Sequence, residues 1–181
     1  MAFALILKAA SFAADKHKQQ WCKDLDGSPY INHPLAVAAF LTEVGGVSDV
    51  EVICAALLHD TIEDTQTTVD ELVSLFGDTI ARIVLEVSDD PAWPKAERKA
   101  LQLAKTRTLS HEALLIKLAD KLCNVRDIMQ AAPVHWNDAQ QAEYVHWAAQ
   151  VVDVARPANA AMALAFDALY AQFKSKNIQG H

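Results

Sequence analysis

The sequence predicts an all-α fold, a single helical bundle. Apolar residues recur every three or four positions, no alternating apolar and polar pattern of strand length persists, and helix-capping or helix-breaking residues divide the chain at intervals. At 181 residues with 52% hydrophobic content, the chain is long enough to bury a substantial core. Five glycines and six prolines are too few for a linker-rich or disordered protein. We therefore expect one compact domain over residues 1–181.

The first helix is expected over residues 3–19. Its apolar residues Phe3, Leu7, Ala10 and Ala14 share one stripe, which predicts an amphipathic helix with that stripe buried. The segment lacks the basic leader region of a secretory signal peptide, so we expect it to be part of the domain.

Capping residues, glycines and prolines then mark the remaining helices. Gly27–Pro29 and Asp89–Pro94 have the composition of loops, and Gly77 separates two helical patterns. Thr68 and Glu71 are spaced as in a capping box. The expected helices are Pro34–Val44, Ser48 or Asp49 through Leu58 to the pair His59–Asp60, Thr68 up to Gly77, Ile80–Val87, Lys95–Thr108, Ser110 or His111 up to Pro133, Asp138–Ala155, and a last one from Pro157 to about Lys174.

Charge and cysteine content exclude several classes of protein. The net charge of −7 argues against a general nucleic-acid binder, and no apolar run is long enough to span a bilayer. Cys22, Cys54 and Cys123 cannot all pair, and none has a zinc-site spacing. We therefore expect a cytoplasmic protein that acts without a membrane or nucleic-acid partner.

A histidine and an aspartate stand together where a long apolar run ends. His59 and Asp60 follow Ala55–Leu58, and Glu63 and Asp64 come within the next helical turn. If the helix continues, each of the two acids lies four residues after a member of the pair and shares its face. One imidazole and three carboxylates then crowd together, and a divalent cation would relieve the repulsion between their charges.

Two other segments offer similar groups. His33 precedes a proline, and Asp120 and Asn124 lie four apart on one predicted helix. Taken singly, His33 has an ordinary role as a solvated or capping histidine, and Asp120 as a helix-surface partner of the flanking lysines. Taken together, His33, His59, Asp60 and Asp120 form a set of two nitrogen and two oxygen donors. Such a set suits Mn, Fe, Zn or Co and leaves positions open for water.

Three longer strings extend this pattern. The segments Gly27–Pro34, Ala55–Thr65 and Lys117–Arg126 occur in the order found in the HD-domain metal-dependent phosphohydrolases, and their sequences resemble the hydrolase domain of the RelA/SpoT family. The chain is most similar to the stand-alone members, the metazoan-type SpoT homologues or small alarmone hydrolases. The resemblance runs from about Ala9 to about Phe173.

The resemblance implies a manganese-dependent hydrolase that removes the 3′-pyrophosphate of ppGpp or pppGpp to give GDP or GTP. The four donors named above would hold the metal, with zinc, iron or cobalt as substitutes. Glu63 and Asp64 would act as the catalytic pair, and Lys23, Asn124 and Tyr144 would contact the nucleotide substrate. No sequence remains for the family's separate synthetase domain, so the resemblance implies degradation of the alarmone without synthesis.

Two features leave alternatives open. Cys22 precedes Lys23 where relatives commonly have arginine, which removes a planar cation able to stack on a purine. Trp21 offers a replacement stacking surface, although we expect it to be packed. His17 is not part of any recognisable motif, and we expect it at the surface.

Two other functions compete with this interpretation. One is another nucleotide phosphohydrolase, such as an NADPH 2′-phosphatase, and the other is a non-catalytic nucleotide-binding module.

Overall fold

The computed structural model describes residues 2–22, 27–90, 92–94 and 96–179 and confirms the predicted all-α fold. Within those residues the only extended pairing is an isolated bridge between Trp21 and Pro29. A short 3₁₀ helix covers Arg156–Ala158. The α-helices are α1 (Ala2–Lys16), α2 (Asn32–Glu43), α3 (Val50–Leu58), α4 (Thr61–Asp64), α5 (Val69–Phe76), α6 (Asp78–Val87), α7 (Arg98–Thr106), α8 (His111–Ala131), α9 (Asp138–Ala155) and α10 (Ala160–Gln179).

Side-chain caps fix where several of these helices begin. The Asp49 carboxylate accepts hydrogen bonds from the amides of the first turn of α3, and Thr68 and Ser110 cap α5 and α8 in the same way. Asn137 and Gln140 form a complete capping box at the start of α9. Gly77, with φ of 88°, turns the chain between α5 and α6. The predicted helix boundaries therefore rest on satisfied backbone groups.

The core is centred on α3 and α8. Every residue from Val52 to Leu58 is buried, and α3 packs against α1, α2, α6 and α8. Helix α8 is buried along most of its length and also packs against α2, α9 and α10. Helix α3 is almost entirely apolar, as expected of a helix at the centre of a bundle, whereas α8 also carries buried polar side chains such as Asp120 and Lys121. Candidate site residues lie on or next to these two helices: His59 and Asp60 follow the end of α3, and Asp120 and Asn124 are on α8.

The predicted buried stripe of α1 is wrong. Phe3 is 83% exposed and Leu7 is 69% exposed, while Ala9 and Ala13 are fully buried on the face that packs against α3. Small side chains allow two helix backbones to approach closely, so the alanine face makes the contact. None of the described helices combines the length and apolarity needed to cross a bilayer.

Candidate active site

The predicted functional segments converge on one cavity of about 450 Å³. His33 comes from the first turn of α2, Asp60 from the junction between α3 and α4, and Asp120 from the middle of α8. The chain is not one continuous helix through the histidine–aspartate pair, because α3 ends at Leu58 and α4 starts at Thr61. His59 and Asp60 are the two residues between the helices and keep right-handed helical backbone angles.

Two imidazoles and a carboxylate form the innermost group. One ligand atom from each of His33, His59 and Asp60 lies within 4.8 Å of the others. Asp60 Oδ2 is 3.0 Å from His59 Nε2 and 3.7 Å from His33 Nε2. His59 Nδ1 donates a hydrogen bond to the Ala56 carbonyl, so in the neutral ring the lone pair is on Nε2. That Nε2 is buried and has no hydrogen-bond partner within the described residues, as expected of a metal ligand.

Asp120 adjoins this group from α8. Its Oδ1 lies 3.2 Å from His33 Nε2 and accepts a hydrogen bond of 2.7 Å from Asn124 Nδ2. Its Oδ2 is 2.8 Å from Lys121 Nζ, and both side chains are buried. The salt bridge considered for Asp120 therefore exists, but inside the protein. The carboxylate is held on two sides with Oδ1 directed at the imidazoles.

The charges of the group compensate one another. Burial opposes ionisation of Asp60, but His59 and His33 outweigh it and hold the pKa of Asp60 below its usual range. Burial likewise opposes ionisation of Asp120, and Lys121 and His33 keep its pKa well below the usual value. Burial opposes protonation of His59, yet Asp60 and Asp120 raise its pKa to about 9. The ionised carboxylates of Asp60 and Asp120 thus favour a positive charge between them and the two imidazoles.

Tyr30 links the innermost group to the predicted catalytic pair. Its hydroxyl donates to Asp60 Oδ2 at 2.5 Å and lies 3.2 Å from Asp64 Oδ2. The ring lies between two histidine rings, with centroid distances of 4.9 Å to His17 and 5.8 Å to His33. The expectation that His17 lies at the surface is wrong, because it is only 2% exposed beneath this tyrosine.

The predicted catalytic pair lies on α4, directed toward the cavity. Glu63 Oε2 accepts a hydrogen bond of 3.0 Å from the Asp89 amide, which fixes its carboxylate. The Asp64 carbonyl accepts a hydrogen bond of 2.5 Å from Gln20 Nε2. Burial, reinforced by Asp60 and Glu63, raises the pKa of Asp64 above its usual range. Both carboxylates therefore stand next to the innermost group and retain access to solvent.

The sequence did not point to a second charged cluster beside Glu63. Asp89 is 5% exposed, and burial raises its pKa to about 6 against the opposing charges of Lys117, Lys121 and Lys105. Its Oδ2 accepts a hydrogen bond from Gln102, whereas its buried Oδ1 has no partner in the described part of the chain. An acid in a predicted turn gives no sequence pattern that reveals burial.

The predicted substrate contacts divide into two groups. Asn124 and Tyr144 line the cavity, and Tyr144 packs between the rings of Trp136 and Trp147 at centroid distances of 5.4 and 5.3 Å. Lys23 lies outside the described residues.

Two neighbouring residues, Trp21 and Cys22, line another part of the cavity, which we call its mouth because Trp21 is largely exposed there. Trp21 lines it and is 61% exposed, so the expectation that this tryptophan is packed is wrong. Cys22 lines it as well.

Comparison with known proteins agrees with this geometry. The family model described as HD domain matches residues 9–150. This chain belongs to the HD-domain family. Within that family it is 52% identical over 159 residues to the zebrafish (Danio rerio) protein guanosine-3′,5′-bis(diphosphate) 3′-pyrophosphohydrolase MESH1, covering 88% of each chain. The human (Homo sapiens) MESH1 is 52% identical over 149 residues, covering 82% of this chain and 83% of the relative.

A solved structure shows the same HD-domain architecture. It is described as "A metazoan ortholog of SpoT hydrolyzes ppGpp and plays a role in starvation responses" and superposes with a TM-score of 0.91 at 40% identity. The match covers 93% of this chain and 95% of the other. The family membership predicted from three sequence strings is therefore confirmed.

Proposed function

We propose that this HD-domain protein hydrolyses the 3′-pyrophosphate of ppGpp and pppGpp, giving GDP or GTP and pyrophosphate. Two observations together support this proposal. The chain is 52% identical, over 88% of its length, to a protein named as a 3′-pyrophosphohydrolase. Its cavity also combines an imidazole–carboxylate group with a neighbouring pair of carboxylates. The substrate is then a small nucleotide. A further part of the proposal is that residues 1–181 form a single hydrolase domain that acts in the cytoplasm without a nucleic-acid or membrane partner.

A divalent metal fits the innermost group, and we propose Mn²⁺, with zinc, iron or cobalt as substitutes. His33, His59, Asp60 and Asp120 would hold it, because the buried Nε2 of His59 makes no hydrogen bond among the described residues and two low-pKa carboxylates face the imidazoles. Mixed nitrogen and oxygen donors suit these ions. When bound, such a metal lowers the pKa of a coordinated water and polarises a phosphate oxygen.

Glu63 and Asp64 would carry the proton transfers. Water attacks the phosphorus that bears the ribose 3′-oxygen, and the bond between that phosphorus and the 3′-oxygen breaks. One carboxylate accepts the proton of the water and a carboxyl group returns a proton to the departing 3′-oxygen. The Asp89 amide orients Glu63 for this role, while the raised pKa of Asp64 favours its protonated form. Asn124, Tyr144 and Lys23 remain our proposed contacts to the nucleotide.

A hydrolysis panel with purified protein tests the function directly. We expect release of GDP and pyrophosphate from ppGpp with Mn²⁺ added, and none after chelation. Release of phosphate from NADPH without turnover of ppGpp would make the protein a different phosphohydrolase. Tight nucleotide binding without turnover would make it a binding module.

Two substitutions then separate the metal site from the catalytic pair. Asp60→Ala should lose both bound metal and activity while remaining folded. Glu63→Gln should keep the metal and lose about 10²–10⁴-fold in turnover, the usual contribution of a positioned acid or base. Glu43→Gln, an exposed residue at the end of α2, makes the same chemical change outside the site and should behave like the unmodified protein. Loss of metal from Glu63→Gln would instead place Glu63 among the ligands.

A further inference from the structure

The cavity has a marked excess of negative charge for a site that receives a polyphosphate. The described residues that line it include five carboxylates and two lysines. One divalent ion cannot offset both these acids and the charge of a substrate that carries two diphosphate groups. Cations of the protein must therefore contribute to binding. The carboxylates are those of Asp60, Glu63, Asp64, Asp120 and Asp127, and the lysines are Lys117 and Lys121.

Lys121 is already engaged by the protein. Its ammonium is 2.8 Å from Asp120 Oδ2 and lies 4.6 Å from the centre of the Trp147 ring, and the side chain is 5% exposed. The charge of Asp120 raises the pKa of Lys121 in spite of burial. An ammonium that is already paired with a buried carboxylate attracts a second anion, such as a ligand phosphate, only weakly.

Lys117 is different. It lies one helical turn before Lys121 on α8 and lines the same cavity. Among the described residues its ammonium makes no hydrogen bond and no ion pair at contact distance, although the charges of Asp120, Asp89 and Glu63 act on it from further away. The side chain is partly buried, and this burial lowers the pKa of Lys117, because an ammonium that loses contacts with water without gaining a partner is less stable. A phosphate oxygen would supply the missing partner.

We propose that Lys117 binds the terminal phosphate of the 3′-diphosphate, the phosphate next to the one that is attacked. The inference rests on the proposed function. Asp120, three residues further along α8, belongs to the proposed metal site and shares a face with Lys117. A diphosphate whose inner phosphate lies at the metal site can thus extend along α8 to this ammonium. Asp89 attracts the ammonium electrostatically but does not line the cavity.

Binding of inorganic pyrophosphate to the Mn²⁺-loaded protein tests this role without requiring turnover. We expect Lys117→Met to weaken pyrophosphate binding, measured by calorimetry, by about ten- to a hundredfold, because a hydrogen bond to a charged group is lost. Lys117→Arg keeps a cation and should stay within a few-fold of the unmodified protein. Lys174→Met, on the exposed surface of α10, removes the same charge outside the cavity and should leave the affinity unchanged.

Three results bear on the inference. A folded, metal-loaded Lys117→Met protein that binds pyrophosphate with unchanged affinity overturns it, even if the unmodified protein hydrolyses ppGpp as proposed. A Lys117→Arg protein as weak as Lys117→Met also overturns it, since a role in packing would then explain both losses. Loss of pyrophosphate binding in Lys117→Met, together with an unmodified protein that does not hydrolyse ppGpp, supports the phosphate contact and refutes only the proposed substrate.

Discussion

Removing the hydroxyl of Tyr30 isolates one contact at the centre of the site. In Tyr30→Phe the ring stays in place between His17 and His33, but Asp60 and Asp64 lose the hydroxyl that joins them. Burial, together with Asp60, raises the pKa of Tyr30, so the phenol remains a protonated donor throughout the neutral range. The substitution therefore removes a donor to a proposed metal ligand without changing the net charge.

The magnitude follows from the two distances. The contact of 2.5 Å to Asp60 is a short hydrogen bond to an ionised group, whereas the 3.2 Å to Asp64 is beyond the usual O–H···O range and counts for little. One hydrogen bond to a charged group is worth about 1.5–3 kcal/mol. Residues that orient a metal ligand typically contribute about 10–100-fold in metal affinity or activity. We therefore expect Tyr30→Phe to bind Mn²⁺ about 10–100-fold more weakly than the unmodified protein.

Titration of the metal-free protein with Mn²⁺ measures this effect, and turnover of ppGpp at saturating Mn²⁺ separates metal affinity from chemistry. Tyr170→Phe is a matched control, because its hydroxyl contacts His146 Nδ1 at 2.8 Å between α9 and α10, outside the cavity. The reasoning is refuted if Tyr30→Phe and Tyr170→Phe bind Mn²⁺ equally well. In that case Asp60 would be held by its histidine neighbours alone.

Three further predictions concern the surroundings of the site. Asp89→Asn should raise the free energy of unfolding of the metal-free protein at pH 7 by about 1–3 kcal/mol. Burial raises the pKa of Asp89 to about 6, so between about pH 4 and 6 its native carboxyl holds a proton that the unfolded chain has lost, and stability falls as pH rises through that window. At pH 7 the carboxyl is ionised in both states, and its buried charge destabilises the native state. Cys22→Arg should lower KM for ppGpp a few-fold to tens-fold with kcat nearly unchanged, because a contact to the base stabilises ground and transition states equally. Trp21→Ala should raise KM, since stacking is worth roughly 1–3 kcal/mol per base.

Urea denaturation at pH 5 and pH 7 checks the first of these, with the exposed neighbour substituted as Asp90→Asn for comparison. If the free energy of unfolding depends on pH equally in both variants, Asp89 is not the acid that causes the loss of stability between pH 5 and pH 7. Initial-rate kinetics check the other two. An unchanged KM for ppGpp in both variants would count against a base site at the cavity mouth, and repeating the measurement with NADPH would show whether that mouth favours another base.

The sequence was most informative where local chemistry decides the structure. Helix starts at Asp49, Thr68 and Ser110 were predictable because a side chain satisfies amides two or three residues away. The convergence of His33, Asp60 and Asp120 was predictable only through the resemblance, since periodicity reports which face of a helix is apolar and not which helices meet.

Contacts made across the fold could not be predicted. The hydrogen bond from Tyr30 to Asp60 spans 30 residues, and that from the Asp89 amide to Glu63 spans 26. Neither has a pattern of spacing. The buried face of α1 was missed for a related reason, because the choice between a large and a small apolar face depends on how closely α3 approaches.

The location of Trp21 and Cys22, away from the proposed metal ligands, limits which steps a substitution at either residue can affect. His59 and Asp120 extend from α3 and α8, which contribute many of the buried core residues, so the geometry of the proposed metal site is set by the core. Trp21 and Cys22 lie at the cavity mouth, outside the helices, where Trp21 pairs with Pro29 in an isolated bridge. Substitutions there can alter which base is held without moving a metal ligand. For this reason, differences in substrate preference between this protein and its relatives should appear in KM, and differences in kcat should follow changes near α4.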